Sequence, residues 1–467
     1  MKKVRFILAL YLAKISIIML KLTKHKGTNY PGKLALKISP DFLKYIKKPE
    51  IIIGVTGTNG KTTVNNLITD ILEKDNIKVL HNKYGSNTNT GISTSLIYGV
   101  NIFNKCKYKY ASFEIDERSA IRIYPYMTPT YLIITNLTRD SIMRNGHPEF
   151  ISGILTKYIP KETKLILNGD DLISSNVSPN NYRKYYSIDK LDSDVNECIN
   201  LINDMQICPK CNYKLKYNYL RYHHIGNAYC PNCGFASPTP NYKGCNVDLN
   251  NMTFDVEENN ELFKFRLLND SVFNIYNVLC VISLLRELNY SKEKIQDLLN
   301  KIEIVKSRYN ETIINGVKVI MLLSKDRNAL GTSRSLDYAC NKPGNKKFIL
   351  MMNNLDDEKK WSENICWFYD CDFEFLNKDD IKQIVVTGPR FKDYKLRLLL
   401  AGIKEENILG TRDEIDAPNL LKYEDGDVIY LLYGTDSIDL ANKVKDKIVE
   451  VIKEEQHENW SIISWSM

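Results

Sequence analysis

The feature that most constrains this 467-residue chain is the segment Gly54-Val55-Thr56-Gly57-Thr58-Asn59-Gly60-Lys61-Thr62-Thr63. An apolar run, Ile51 to Val55, leads into it, and Val64, Leu67, Ile68, Ile71 and Leu72 follow at helical spacing. The order is therefore strand, glycine loop, helix, which is the context a phosphate-binding loop requires. Gly57 and Gly60 let backbone N–H groups turn inward around a phosphate chain, and the helix N-terminus adds positive potential. Lys61 reaches terminal phosphates and Thr62 offers a hydroxyl to Mg²⁺, with Thr58, Asn59 and Thr63 completing the loop. The generic spacing would place Gly at 55, where this chain has Val. The match is to a shorter form, T-G-T-N-G-K-T-T.

Further apolar runs from Ala111 to Ile115, Tyr131 to Thr135 and Lys164 to Leu167 alternate with helical periodicity, so the fold class is α/β with a parallel-rich sheet covered on both faces. Helical spacing returns from Asn274 to Leu288. Strand candidates at Val317 to Leu323, Phe348 to Met352, Ile384 to Thr387 and Val428 to Tyr433 then precede a helix from Ser437 to Glu454. The expected organisation is an N-terminal helical segment (1–48), a P-loop ATPase domain (49–310) and a smaller Rossmann-like α/β domain (311–467), which suits the length at about 150 residues per domain. Hydrophobic residues at 43%, charged residues at 26% and a mean hydropathy of −0.31 exclude disordered, collagenous and polytopic membrane chains. The net charge of +8 fits an anionic ligand and gives no reason to expect nucleic acid.

Residues 206–240 interrupt the alternation. Cys208, Cys211, Cys230 and Cys233 form C-x2-C-x18-C-x2-C, the spacing of a four-thiolate zinc ribbon. Four thiolates close a tetrahedron and leave no position for a reacting water, so the module reads as a staple or contact surface, with His223, His224 and Cys245 as bystanders. Eleven cysteines, an odd number without a disulfide pattern, place the chain in a reducing cytoplasm. At the N-terminus, Lys2, Lys3 and Arg5 precede an apolar stretch, Phe6 to Leu20, that Lys14 splits. It is too short to span a bilayer, and two readings stand: a helix packed on the next domain, or an interfacial helix at the inner face of the plasma membrane.

The loop Thr56 to Thr63 resembles the ATP loop of the Mur ligases and folylpolyglutamate synthetases, which activate a carboxylate as an acyl phosphate for attack by an amine. That resemblance assigns ATP to the loop, a Mg²⁺-binding and catalytic role beside Lys61 to Glu114, an adenine-side role to Asn274 and Asn277, and a domain-closing role to Arg308. Plainer readings stand beside these: a solvated acidic strand end for Glu114, a helix cap for Asn274, a surface arginine for Arg308. Ordinary Mur ligases lack a zinc ribbon in the ATPase domain. The insertion narrows the resemblance to the MurT family, as do Tyr30 to Ile38, His81-Asn82 with Gly85-Ser86-Asn87, Glu114-Ile115-Asp116-Glu117, Asn136-Leu137-Thr138-Arg139-Asp140 and Val272 to Leu279.

The implied activity is ATP-dependent activation of the D-glutamate α-carboxylate of a lipid-linked peptidoglycan precursor and its amidation, as the synthetase half of a heterodimer. Ammonia would come from a GatD-like glutaminase, since no nucleophilic Cys–His pair is evident in this chain. Two departures mark the C-terminal part. Lys325 to Gly331 replaces an Asn-Pro-containing stretch, and Asn364 stands where the family's partner-completing aspartate is expected, leaving Asp370 as the candidate or as a structural strand end. A stand-alone ligase adding an amino acid, and a regulatory ATPase subunit, are the competing readings.

Overall fold

The computed structural model describes residues 2–25, 27–82, 86–139, 147–302, 309–324, 328–351, 355–356, 361–362 and 365–465. The chain forms two compact units, the first from Met1–Arg139, His147–Ile199 and Asn203–Ile304, the second built on Val305–Met467 with Asn200–Ile202.

The first unit is organised by a nine-stranded sheet. Its strands are β1 (Ile51–Thr56), β2 (Val79–His81), β3 (Tyr110–Glu114), β4 (Tyr131–Ile134), β5 (Lys164–Asn168), β6 (Arg183–Ile188), β9 (Tyr242–Asp248), β10 (Thr253–Glu258) and β11 (Glu261–Arg266), while β7 (Lys216–Tyr222) and β8 (Ile225–Tyr229) pair separately as a hairpin. The spatial order is β11-β10-β9-β6-β5-β4-β1-β3-β2. From β2 to β9 every pairing is parallel. The β9–β10 and β10–β11 pairings are antiparallel: a turn with Met252 at positive φ leads β9 back into β10, and Asn259 and Asn260, both at positive φ, turn β10 back into β11. The sequence reading had no strand there.

Strand β1 lies between β4 and β3, third from the β2 edge, and is buried along its length after Ile51, as a parallel strand covered on both faces must be. One face carries α4 (Lys61–Lys74), α9 (Val272–Glu287) and α10 (Lys292–Asn300). The other carries α1 (Lys2–Leu22), α2 (Tyr30–Ile38), α3 (Phe42–Tyr45), α5 (Asn89–Gly99) and α7 (Pro148–Tyr158); α6 (Ala120–Ile123) and α8 (Leu172–Ser175) are single turns between strands. Phe6 of α1 meets Phe42 with ring centroids 5.1 Å apart and tilted, and Ala9, Leu10, Ala13 and Ile17 join one core with Leu96 and Ile97 of α5 and Ile52 of β1, so this N-terminal helix is packed on the first unit. Among the described residues no helix is long and apolar enough to cross a membrane.

The second unit contains a six-stranded sheet, ordered β12 (Tyr309–Ile314), β13 (Val317–Leu323), β19 (Val428–Tyr433), β14 (Lys346–Met351), β17 (Ile381–Thr387) and β18 (Ile408–Thr411), with β15 (Leu355–Asp356) and β16 (Trp361–Ser362) paired apart. Only the edge strand β12 is antiparallel within the six. Helices α11 (Ala329–Cys340) and α12 (Phe391–Leu400) cover one face and α13 (Ile438–Trp465) the other. The four strands expected from the sequence are present; β12 and β18, both at sheet edges, were not anticipated.

Candidate active site and cysteine centre

Register explains why distant residues meet at the loop. Val55 pairs with Glu114 and Thr56 with Ile134, so the C-terminal ends of β1, β3 and β4 lie side by side, where open α/β sheets bind ligands. The loop begins where β1 ends. The segment after β4 then holds it: the Asn59 N–H donates to Asn136 Oδ1 at 3.1 Å, Asn136 Nδ2 returns a bond to the Asn59 carbonyl, and Thr135 Oγ1 donates to that same carbonyl at 2.6 Å. Thr58 is fixed likewise, its N–H on the Asn136 carbonyl and its hydroxyl on Thr138. Gly57 has φ +123°, and a Cβ there would sit 2.3 Å from Thr135 Oγ1, so only glycine fits.

Two carboxylates serve this loop, and they differ in environment. Glu114, half-buried at the end of β3, accepts from the exposed Thr62 hydroxyl at 2.8 Å and from Asn87 Nδ2 at 2.9 Å, while Asn82 grips its backbone from both sides. Two oxygens on adjacent positions of an octahedral Mg²⁺ lie about 3 Å apart, so Thr62 and Glu114 present a hard-oxygen pair of fitting spacing. Glu117 is buried. Its Oε1 accepts from Lys61 Nζ at 2.7 Å and from the Gly57 N–H at 3.1 Å, and Lys61 also donates to the carbonyls of Gly57 and Thr58. Burial pushes the Glu117 carboxyl above its ordinary range, and the Lys61 ammonium pulls it back. With Lys61 and the Gly57 N–H both on its Oε1, Glu117 occupies donors that a phosphate chain would otherwise take. The sequence reading gave Glu117 no role.

The asparagines of α9 separate. Asn277 faces the loop: a Cβ on Gly60, which is at φ +85°, would lie 2.6 Å from Asn277 Oδ1. Asn274 is turned inward and buried, its side-chain amide set against the Asn269 and Leu268 N–H groups, which the amide oxygen satisfies once the amide is rotated to face them. It is not the helix cap either, because Ser271 Oγ accepts from the Asn274 N–H. Arg308 and Asn364 lie outside the described residues, as do 325–327; Asn328 is the N-cap of α11, accepting from the Gly331 N–H at 2.6 Å.

The sulfurs of Cys208, Cys211, Cys230 and Cys233 lie within 4.8 Å of one another, two pairs being 3.5 Å apart. Sulfurs on a tetrahedral ion with 2.3 Å bonds sit about 3.8 Å apart, so the four could hold a metal ion. The thiols titrate as one linked set: the Asn232 side chain and then the Tyr213 N–H lower the Cys211 thiol to about 6, while, against the Phe235 backbone, desolvation and hydrogen bonds from the neighbouring cysteines push Cys233 up to about 12. The neighbouring hairpin is clamped to the sheet by Arg221, whose side chain is 2% exposed and reaches Asp194 at 2.7 Å, Asp170 at 3.3 Å and the Tyr276 hydroxyl. His224 does not join the cysteines. It contacts Asp171 at 3.2 Å, and Asp171 accepts from the Leu137 N–H at 2.7 Å, next to the residues that hold the loop.

Comparison with known proteins agrees with this geometry. Residues 55–285 match the Mur ligase middle domain and residues 325–438 the MurT ligase C-terminal domain. The chain is 31% identical, over 87% of its length and 90% of the relative's, to the MurT subunit of lipid II isoglutaminyl synthase (glutamine-hydrolyzing) of Staphylococcus aureus strain COL. The chain belongs to the MurT family. The MurT subunit of Streptococcus pneumoniae strain R6 is 28% identical over the same shares. Among solved structures, a pseudomurein peptide ligase type C from Methanothermus fervidus superposes with TM-score 0.65 at 21% identity, covering 91% of this chain and 85% of that one, which shows a shared Mur ligase fold. As a MurT family member the chain is an ATP-dependent ligase.

Of the site residues proposed for the family, Asp370 belongs to the second unit, half-buried at the end of the 3-10 turn Cys366–Asp370. Its neighbour Asp372 is a structural clasp. It is buried, accepts from Asn200 Nδ2 at 2.9 Å and the Leu201 N–H at 2.6 Å, and its own N–H donates to Ser333.

Proposed function

We propose that this protein is the synthetase subunit of a lipid II isoglutaminyl synthase, working on the cytoplasmic side of the membrane with a GatD-like glutaminase as its heterodimeric partner. The similarity to the Staphylococcus aureus MurT subunit along 90% of that chain carries the reading. In this reading the loop Gly57 to Thr63 wraps the phosphates of ATP and Asn277 lies toward the nucleoside side. Thr62 and Glu114 hold Mg²⁺, which supplies charge neutralisation on the phosphates. Lys61 leaves Glu117 for the terminal phosphate and stabilises the negative charge that develops as the γ-phosphoryl moves to a carboxylate oxygen of D-glutamate. The acyl phosphate so formed has a good leaving group. Ammonia attacks its carbonyl carbon, the C–O bond to phosphate breaks, one ammonia proton is lost to solvent, and D-isoglutamine and phosphate remain. Asp370 completes the partner's glutaminase site. The cysteine centre holds zinc as a closed structural ion.

The test is incubation of the purified chain with ATP, Mg²⁺, ammonium and lipid II, reading ADP and product mass. Conversion of one carboxylate to a carboxamide together with ADP release is expected. ADP release that requires a free amino acid in place of ammonium would make the protein a stand-alone ligase instead.

A further inference from the structure

Helix α1 has two apolar faces. Phe6, Ala9, Leu10, Ala13 and Ile17 are buried against the first unit. On the opposite side Val4, Leu8, Ile15, Ile18 and Leu22 are 69%, 53%, 52%, 60% and 78% exposed. At 100° per residue these positions form one stripe along the whole helix, and no charged residue falls within it. The exposed Lys3 and Lys21 share one edge of the stripe and the exposed Arg5 lies on the other. The helix is firmly seated, since Lys14 Nζ donates to the carbonyls of Ile97 at 2.9 Å and Val100 at 2.8 Å. The turn that follows Val100 exposes Ile102 and Phe103, the latter 72% accessible.

Charge identifies the occupant. Residues 1–40 contain nine Lys and Arg and no Asp or Glu, the first acidic residue being Asp41. A second copy of the chain would set these charges against themselves, whereas an anionic bilayer takes up both the aliphatic stripe and its basic edges. We propose that α1 is an in-plane membrane anchor whose outer face enters the headgroup boundary of an anionic bilayer. The inference deepens the functional reading, for a lipid-linked substrate lies at that surface. The orientation is parallel to the membrane plane, because the inner face of the same helix is already buried in protein.

The experiment is flotation of the full-length protein with vesicles of phosphatidylglycerol and phosphatidylcholine, and with phosphatidylcholine alone. The double variant Leu8→Glu/Ile15→Glu, whose side chains are solvent-exposed, is run alongside and its folding checked by thermal melt. The wild type should float with the anionic vesicles, and both the variant and high salt should weaken binding about tenfold or more. Wild-type protein that stays in the aqueous fraction with anionic vesicles, or a variant that binds as the wild type does, overturns the proposal. So does a wild-type dimer by light scattering that the variant converts to monomer. These vesicles carry neither substrate nor ATP, so the outcome is independent of whether lipid II is amidated.

Discussion

The phosphate loop and the cysteine module are each a short motif of fixed spacing, yet the first is shaped from afar and the second from within. Asn59 and Thr58 are held by groups 77 and 80 positions along the chain, delivered by the register of β1 against β4. The four cysteines converge through two tight turns and one hairpin, and the sulfurs themselves set the geometry. Changes at the loop should therefore stop chemistry in a folded protein, and changes at the module should loosen structure while leaving the chemical step alone. The lines Arg221 to Asp170 and His224 to Asp171 to Leu137 are where that division can fail.

The largest effect is expected at Lys61. Lys61→Met should lower amidation about a thousandfold or more in steady-state assays, by removing the cation that meets the transferring phosphoryl group. It also leaves Glu117 buried without its partner, at a cost of about 3 kcal/mol in a denaturant titration. Adding Glu117→Gln should restore that stability and none of the activity. A double variant that regains turnover would remove Lys61 from the mechanism.

Next comes the clamp between the regions. Arg221→Met strands Asp170 and Asp194 in the interior and should cost about 3 to 5 kcal/mol by urea unfolding. Unchanged stability would mean that the module sits on the sheet without help from this arginine. A third test stays at the loop: Glu114→Gln should raise the Mg²⁺ needed for half-maximal activity about tenfold to a hundredfold, by analogy with the loss of one metal-orienting carboxylate, with the melting temperature little changed. The smallest effect on chemistry should come from the module. Cys230→Ser should abolish bound metal in elemental analysis and lower the melting temperature, while turnover at low temperature stays within about twofold, as a closed structural site requires. A much larger fall in turnover would show that the line from His224 to Leu137 transmits the module's order to the loop.

Several structural features left a mark in the sequence and others left none. Asn259-Asn260 between two alternating segments is a hairpin signal, and the β10–β11 edge could have been read from it. Glu117 gave no such mark. It is one of three acidic residues in four positions, and only the turn Glu117–Ser119 carries it under Gly57 while Glu114 stays on the strand facing Thr62. Asn274 and Asn277 are one turn apart and look equivalent in the sequence, but one faces Gly60 and the other the chain before α9.

The sequence by itself determined the phosphate loop, the α/β alternation and the four thiols, because each rests on local spacing: glycines where positive φ is required, apolar runs of strand length, cysteines at ligand intervals. Tertiary structure alone decided which carboxylate pairs with Lys61, which asparagine meets the loop, and that one face of α1 is buried while the other remains open. Those choices depend on strand register and on which side of the sheet each helix packs, and residues far apart in the chain become neighbours only when the whole sheet has formed.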